Sequence, residues 1–321
     1  MEKVSVIVPV YNRVNLLGRC LDSIAAQTYR PIELIIVDNG SADGSLKFAS
    51  EWGRRRKSPD FSITVTKEIQ TGVSYARNKG LSEATGDFTL FFDSDDKMRQ
   101  DLIEKGIAEF RRNPGISIVC WKCEIHMTGG EVRIPPFYPE RAMECHMIHT
   151  LLRTHGYMAP TELFRSAGGW DASLPCWNDL EMGVRLLLEI GNKSGYKSIS
   201  GHISGLPEVL VDIYQQEESI TGRDFSSKTG LWEKSLTKMK EDILLSNCVE
   251  KDYLLKMIAF REMILAAHYQ KENRPDLASG LWNKVLKDSE LTALQKALFK
   301  MLFEYTARGG RGAWKIAKLL I

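Results

Sequence analysis

The chain is short of cysteine, of net charge and of long apolar runs, and each shortage removes a class of function. Six cysteines in 321 residues are too sparse for a disulfide scaffold. Its 43 basic and 41 acidic residues nearly cancel, so no global field exists to hold nucleic acid, and none is expected as a partner. No apolar stretch approaches the roughly 18 residues that a membrane span requires. The opening MEKVSVIVPVYN sets charge directly before a strand-like run, unlike the apolar centre of a secretory signal. These points lead to the expectation of a soluble, cytoplasmic protein.

What is present falls into two regimes. VSVIVPV (4–10), IELIIVD (32–38), SITVTK (62–67), FTLFF (88–92) and ISIVCW (116–121) are short runs rich in β-branched or aromatic residues. Between them, NLLGRCLDSIAAQ, SLKFASEWGRRRK, VSYARNKGLSEA and QDLIEKGIAEFRRNP space apolar residues by three and four. The alternation predicts an α/β fold, a mostly parallel sheet with helices on both faces. Such sheets bind ligands beyond the carboxyl ends of their strands, where the strand order reverses. Residues 126–175 read as irregular, with prolines at 135, 136, 139 and 160. From about residue 228 the pattern is helical throughout. The expected division is residues 1–225, and 226–321 as an all-helical region.

The carboxyl ends of three strands carry PVYN, VDNGS and DSDD. Three carboxylates, Asp93, Asp95 and Asp96, within four positions repel unless a cation or water separates them. A solvated turn would tolerate them, and so would a site for a divalent ion. Taken in chain order, VSVIVPVYN, IELIIVDNGSADGS, TGDFTLFFDSDD and AGGWDASLP followed by WNDLEMGVRL resemble the inverting family 2 glycosyltransferases with the GT-A fold. The resemblance covers residues 1–225.

It implies transfer of a sugar from a nucleoside diphosphate to a hydroxyl of a glycan or glycolipid acceptor, as in surface polysaccharide synthesis. The departing diphosphate needs neutralising, which a hard cation on oxygen ligands does. Asp93, Asp95 and Asp96 are expected to hold Mn2+ or Mg2+, with Asp95 also near the ribose. Pro9, Tyr11, Asp38 and Asn39 are expected at the nucleoside, Tyr11 by stacking on the base. Relatives often carry a second aspartate at position 39. An amide both donates and accepts, so Asn39 is expected to read uracil or thymine and to favour UDP or dTDP. Arg77 is open to two readings, a diphosphate partner or a surface salt bridge.

The resemblance places the base that deprotonates the acceptor at Asp179, with Asn178 where a glutamate is usual and Glu181 as the fallback. A helix cap is the alternative role for Asp179. Trp170 and Trp177 are candidate acceptor platforms or core aromatics. Tyr214 and Gln216 stand where relatives often show arginine and histidine, leaving the metal to the aspartates. Zinc on Cys120, Cys123 and His126, or on Cys145, His146 and His149, is not expected, since strand alternation separates the first pair. Arg308, Arg311, Lys315 and Lys318 with Trp314 form a basic tail that either docks on its own bundle or meets the inner face of a membrane. Two rivals remain. A sugar nucleotidyltransferase would want a glycine-rich phosphate loop after the first strand, which VPVYNRVNLLG lacks, and a non-catalytic binding module would lack the base or the metal carboxylates.

Overall fold

The computed structural model describes residues 1–194, 199–216, 224–287 and 291–317. It divides into two compact units, Met1–Glu217 and Glu218–Ile321. In the first, β1 (Val4–Val10), α1 (Val14–Ala25), β2 (Ile32–Asp38), α2 (Ser45–Arg56), β3 (Phe61–Lys67), α3 (Val73–Glu83) and β4 (Phe88–Phe91) alternate as expected. They are followed by β5 (Lys97–Met98), α4 (Leu102–Arg112), β6 (Ile118–His126), β7 (Val132–Arg133), α5 (Ala142–His149), β8 (Tyr157–Pro160), α6 (Thr161–Ser166), α7 (Asn178–Ser194) and β9 (Ile203–Tyr214). The sheet runs β3-β2-β1-β4-β8-β6-β9-β5, with β7 paired to β6. Strand order reverses at β1, which is parallel to both β2 and β4.

All seven residues of β1 are buried, because both faces of the strand are covered. Val4, Val6, Val8 and Val10 join Leu17, Leu21 and Ile24 of α1 in one apolar cluster. Each such side chain contributes about 1.5–3 kcal/mol by leaving water. Ile7 faces α3, where a Cβ on Gly80 would lie 2.3 Å from Ile7 Cγ2, so glycine lets helix and strand meet. The start of α1 is satisfied from the loop after β2. Arg13 N donates to Ser45 Oγ at 2.9 Å and Val14 N to Asp43 Oδ2 at 2.9 Å, meeting amides that the helix leaves unpaired.

The sheet is mixed rather than uniformly parallel. Strand β8 is antiparallel to both β4 and β6, whereas β6 and β9 are parallel. The stretch 126–175, read as irregular, thus supplies a central strand and two helices. In the second unit, α8 (Leu231–Leu245), α9 (Lys251–Lys271), α10 (Pro275–Lys287), α11 (Ala293–Ala307) and α12 (Ala313–Ala317) match the helical expectation. Met263, Val285, Phe299 and Leu302 form its core, and Tyr269 Oη donates to Glu233 Oε1 at 2.7 Å. Among the described residues, no helix is long and apolar enough to cross a membrane.

Candidate active site

The carboxyl ends of β1 and β2 lie side by side. Tyr11 follows β1 and is 56% exposed, free to stack on a planar ligand. Pro9 is buried within β1, in register with Val37. Its missing N–H costs no ladder bond on the β4 side, where pairing stops at Ile7 with Phe91. Asp38 closes β2 and is buried. Its Oδ2 accepts from Gly40 N at 3.3 Å and Ser41 N at 3.2 Å, and its Oδ1 is buried with no partner.

Asn39 clamps a loop. Its Nδ2 donates to Glu68 O at 3.1 Å and Gln70 O at 2.7 Å, and its Oδ1 accepts from Gly72 N at 2.8 Å. Both N–H groups of the amide clamp the loop after β3, so no donor is left for a base carbonyl, while Oδ1 keeps a second lone pair. Sequence reasoning missed this because it could not place residues 68–72 beside the end of β2.

The acidic segment follows β4. Asp93 Oδ1 pairs with Arg77 Nη2 at 3.0 Å, and Asp93 Oδ2 lies 3.3 Å from His155 Nδ1. Asp96 Oδ2 lies 3.2 Å from the same nitrogen, and Asp96 Oδ1 accepts from Tyr214 N at 2.9 Å. Asp95 turns aside toward Arg13 Nε at 3.5 Å, while its carbonyl accepts from Arg19. Burial alone would raise the pKa of Asp93, but Arg77 and His155 outweigh it and hold the carboxyl well below its usual range. Burial pushes Asp96 up to about 7; His155 pulls the other way, and Asp93 and Asp95 add to the rise. Asp95 is raised by burial and by Asp93. Burial opposes charge on His155, yet Asp96 and Asp93 prevail and raise its pKa. Asp93, Asp96 and His155 offer three ligand atoms lying within 4.8 Å of one another, and two carboxylates with an imidazole suit a first-row divalent ion.

The segment before α7 approaches the acidic residues through Arg77, which is 4% exposed. Besides Asp93 it reaches Asn178 Oδ1 at 3.4 Å, and its Cζ lies 4.2 Å from the centre of the Trp170 ring. The guanidinium is buried and paired with Asp93, which corrects the surface reading of Arg77, while its Nε is buried with no partner. Trp170 is also corrected as an acceptor platform. It is 2% exposed, packs edge-on against Phe91 at 5.1 Å, and has both backbone polar groups bound by Asn78. Trp177 is half-buried and holds φ 49° at the entry to α7, a strained setting for a bulky residue.

Asp179 lies in the first turn of α7, half-buried, with Oδ1 accepting from Leu180 N at 2.8 Å. Burial, together with the nearby Asp179 charge and against that of Arg77, pushes the Tyr157 phenol up. Glu181 is fully buried in a two-pronged pair with Arg185, which also donates to the carbonyls of Ala167 and Gly169. It therefore braces the Gly168–Gly169–Trp170 turn and is not available as a base.

Cys120 and Cys123 are both buried and unbridged. The register shifts between Trp121 and Cys123 arise from extra residues in β9, while β6 itself runs on without insertion. A second group, Glu124, His126 and Asp212, is spanned by Arg99, which lies 2.8 Å from Asp212. The SIT segment after Gln216, at 219–221, and Lys318 lie outside the described residues.

Residues 5–159 match the family model described as glycosyl transferase family 2. Glycosyltransferase GlyA of Streptococcus pneumoniae is 42% identical over 113 residues, 34% of this chain and 16% of the relative. Putative glycosyltransferase EpsH of Bacillus subtilis is 35% identical over 126 residues, 39% of this chain and 36% of the relative. The chain thus spans well under half the length of these curated relatives. Among solved structures, S. aureus TarS 1–349 in complex with UDP-GlcNAc has a TM-score of 0.72 at 18% identity, covering 95% of this chain and 87% of that one. Mannosyltransferase PcManGT from Pyrobaculum calidifontis in complex with GDP-Man and Mn2+ has a TM-score of 0.59 at 17% identity, covering 95% and 83%. At these identities the likeness is one of fold, and the fold is GT-A.

Proposed function

We propose that this chain, whose residues 5–159 match the glycosyl transferase family 2 model, moves a sugar from a nucleoside diphosphate to an acceptor hydroxyl with inversion. The observation that carries this reading is that Arg77 links Asp93, after β4, to Asn178 at the α7 entry, at the end of the sheet where β2, ending in Asp38, and β4 flank β1. Asp179 takes the proton of the acceptor hydroxyl as its oxygen bonds to the anomeric carbon and the bond to the diphosphate breaks. Tyr11 stacks on the base.

The free Oδ1 of Asp38 accepts one N–H. Because Oδ2 already serves two backbone amides, a base edge with a single donor, uracil or thymine, fits better than the two-donor edge of guanine. This supports UDP or dTDP on grounds that no longer involve Asn39. Asp93, Asp95 and Asp96 are the carboxylates available to hold Mn2+ or Mg2+. A divalent cation there neutralises the leaving diphosphate. Residues 1–225 carry this chemistry. Residues 226–321 are assigned to the acceptor, a glycan or lipid-linked glycan, or to the inner face of a membrane. Exposed Leu294, Met301 and Tyr305 beside exposed Lys300 support that assignment.

Thermal shift against UDP, GDP, dTDP and CMP, each with and without Mn2+, tests the reading, because a ligand of the folded state raises Tm as ln(1 + [L]/Kd). A shift with UDP or dTDP that requires Mn2+ is expected. No shift with any nucleotide would refute the proposal in favour of a non-catalytic module.

A further inference from the structure

Charge is unevenly distributed along this chain. Its 43 basic and 41 acidic residues nearly cancel overall, yet residues 292–321 hold six basic residues and a single acidic one. We propose that the outer face of α11, with the turn into α12, is a docking surface for an anionic phospholipid bilayer. The proposal rests on the reading of residues 226–321 as an acceptor or membrane contact, and narrows it to one partner.

Helix α11 is apolar on two sides. Phe299 and Leu302 enter the core of the second unit. Leu294 and Met301 lie seven positions apart, on one face of the helix, and are 69% and 67% exposed. Tyr305 continues that exposed face. Ala313 seats α12 in the same core, leaving Lys315 and Ile316 exposed. The tail therefore docks on its own bundle and still presents cations to solvent.

Between Lys300 and Arg308 lies a groove of about 770 Å3, walled by Met301 and Tyr305 and lined also by Gly309 and Gly310. The Tyr305 hydroxyl donates to Arg311 O at 3.0 Å, and Gly310 leaves room for the ring, which any Cβ there would strike. The lone carboxylate, Glu304, is paired with Arg308 at 3.1 Å. Exposed Lys300, Arg311 and Lys315 are left as uncompensated positive charge.

This mixture selects the occupant. An anionic bilayer takes exposed apolar side chains into its acyl boundary and meets the cations with phosphate, and a tyrosine suits the level of the headgroups. A second copy of the chain would set like charge against like. Nucleic acid would meet the cations through its phosphates but leave Leu294 and Met301 in water.

The test is co-sedimentation of the full chain with vesicles of phosphatidylcholine alone, or with about one-third phosphatidylglycerol. Binding is expected only with phosphatidylglycerol. It should fall as salt rises from about 0.1 to about 1 M, which shortens the screening length from about 10 to about 3 Å. K300Q/R311Q/K315Q should weaken partitioning by about a hundredfold, at about fivefold per cation. L294S/M301S should weaken it by at least about tenfold. All five side chains are exposed, so Tm without vesicles should hold in both variants. Equal binding to uncharged vesicles, no binding to either kind, or unchanged binding by both variants would overturn the proposal. Retention of a single-stranded oligonucleotide without vesicle binding would give the face to nucleic acid, and a dimer that L294S/M301S dissolves would give it to a second copy. The thermal shift with UDP and Mn2+ on the same preparation reads the sugar-transfer proposal separately, so either can fail while the other stands.

Discussion

Replacing Asn39 by aspartate separates two roles that share one side chain, reading a base and holding a loop. The change is nearly isosteric. The carboxylate can still accept from Gly72 N, at 2.8 Å in the native protein. It cannot donate, so Glu68 O and Gln70 O, now 3.1 and 2.7 Å from Nδ2, would face a negative oxygen. Two lost hydrogen bonds at about 1 kcal/mol each give a lower bound of about 2 kcal/mol for loosening the loop. Repulsion adds to that figure. The loop is largely exposed, with Ile69 at 92%, so the loss should appear first as local opening and only partly as a lower Tm. Hydrogen exchange of a peptide spanning 66–76 should quicken by about 30-fold, the ratio that 2 kcal/mol implies. Affinities for all nucleotides should fall together with their ranking unchanged. Unchanged exchange with a reordered nucleotide preference would refute this reasoning and return Asn39 to the base.

Asp179→Asn should reduce turnover by about 10²–10⁴-fold with little change in KM for the donor, measured by steady-state kinetics once a donor is known. Arg185→Met strands the fully buried Glu181. It should cost about 3–5 kcal/mol in a denaturant melt, much of it recovered in the Glu181→Met/Arg185→Met double variant. Burial lowers the pKa of His268 from its ordinary 6.5, against the pull of Glu272. Below 6.5 the unfolded chain therefore takes up a proton that the folded ring refuses. Stability of the helical unit should fall as pH drops from about 6.5 toward the lower folded value and stay flat above it. Hydrogen exchange in α9 reads this slope, which His268→Phe should abolish.

The N-terminal strands were legible because both of their faces are buried. VSVIVPV and IELIIVD are continuous apolar runs, and β1 and β2 begin and end at the residues expected. The later strands were not, and the reasons are local. Strand β8 is four residues long and ends in Pro160, too brief for a period to show. Strand β9 contains Pro207 and pairs with β6 through two register shifts, so its alternation is broken. His155 escaped notice for a topological reason. The rule that ligands gather at carboxyl ends holds for parallel strands, and an antiparallel neighbour delivers its amino end to the same place. Knowing that β8 runs against β4 would have identified the histidine; the sequence offers only a polar His-Gly pair before a short apolar run.

The departure at Asn178 gains a physical reading from the same geometry. Where relatives carry Glu-Asp, a glutamate would compete with Asp93 for the Arg77 guanidinium, which Trp170 holds from its other side. The amide of Asn178 accepts only a weak contact from Arg77 at 3.4 Å and donates another to Ser74 Oγ at 3.4 Å. The full charge of Arg77 is thus left to Asp93, at 3.0 Å, with the guanidinium buried and the carboxylate 30% exposed, in a charge-assisted bond. An aspartate held ionised in this way is a better partner for a cation than one shared with a protonated neighbour. Asn178, which leaves Arg77 to Asp93, and His155, whose Nδ1 lies 3.3 Å from the other carboxylate oxygen, therefore act on the same carboxylate from opposite sides. The first leaves the guanidinium charge undivided, and the second adds to what keeps the carboxyl ionised.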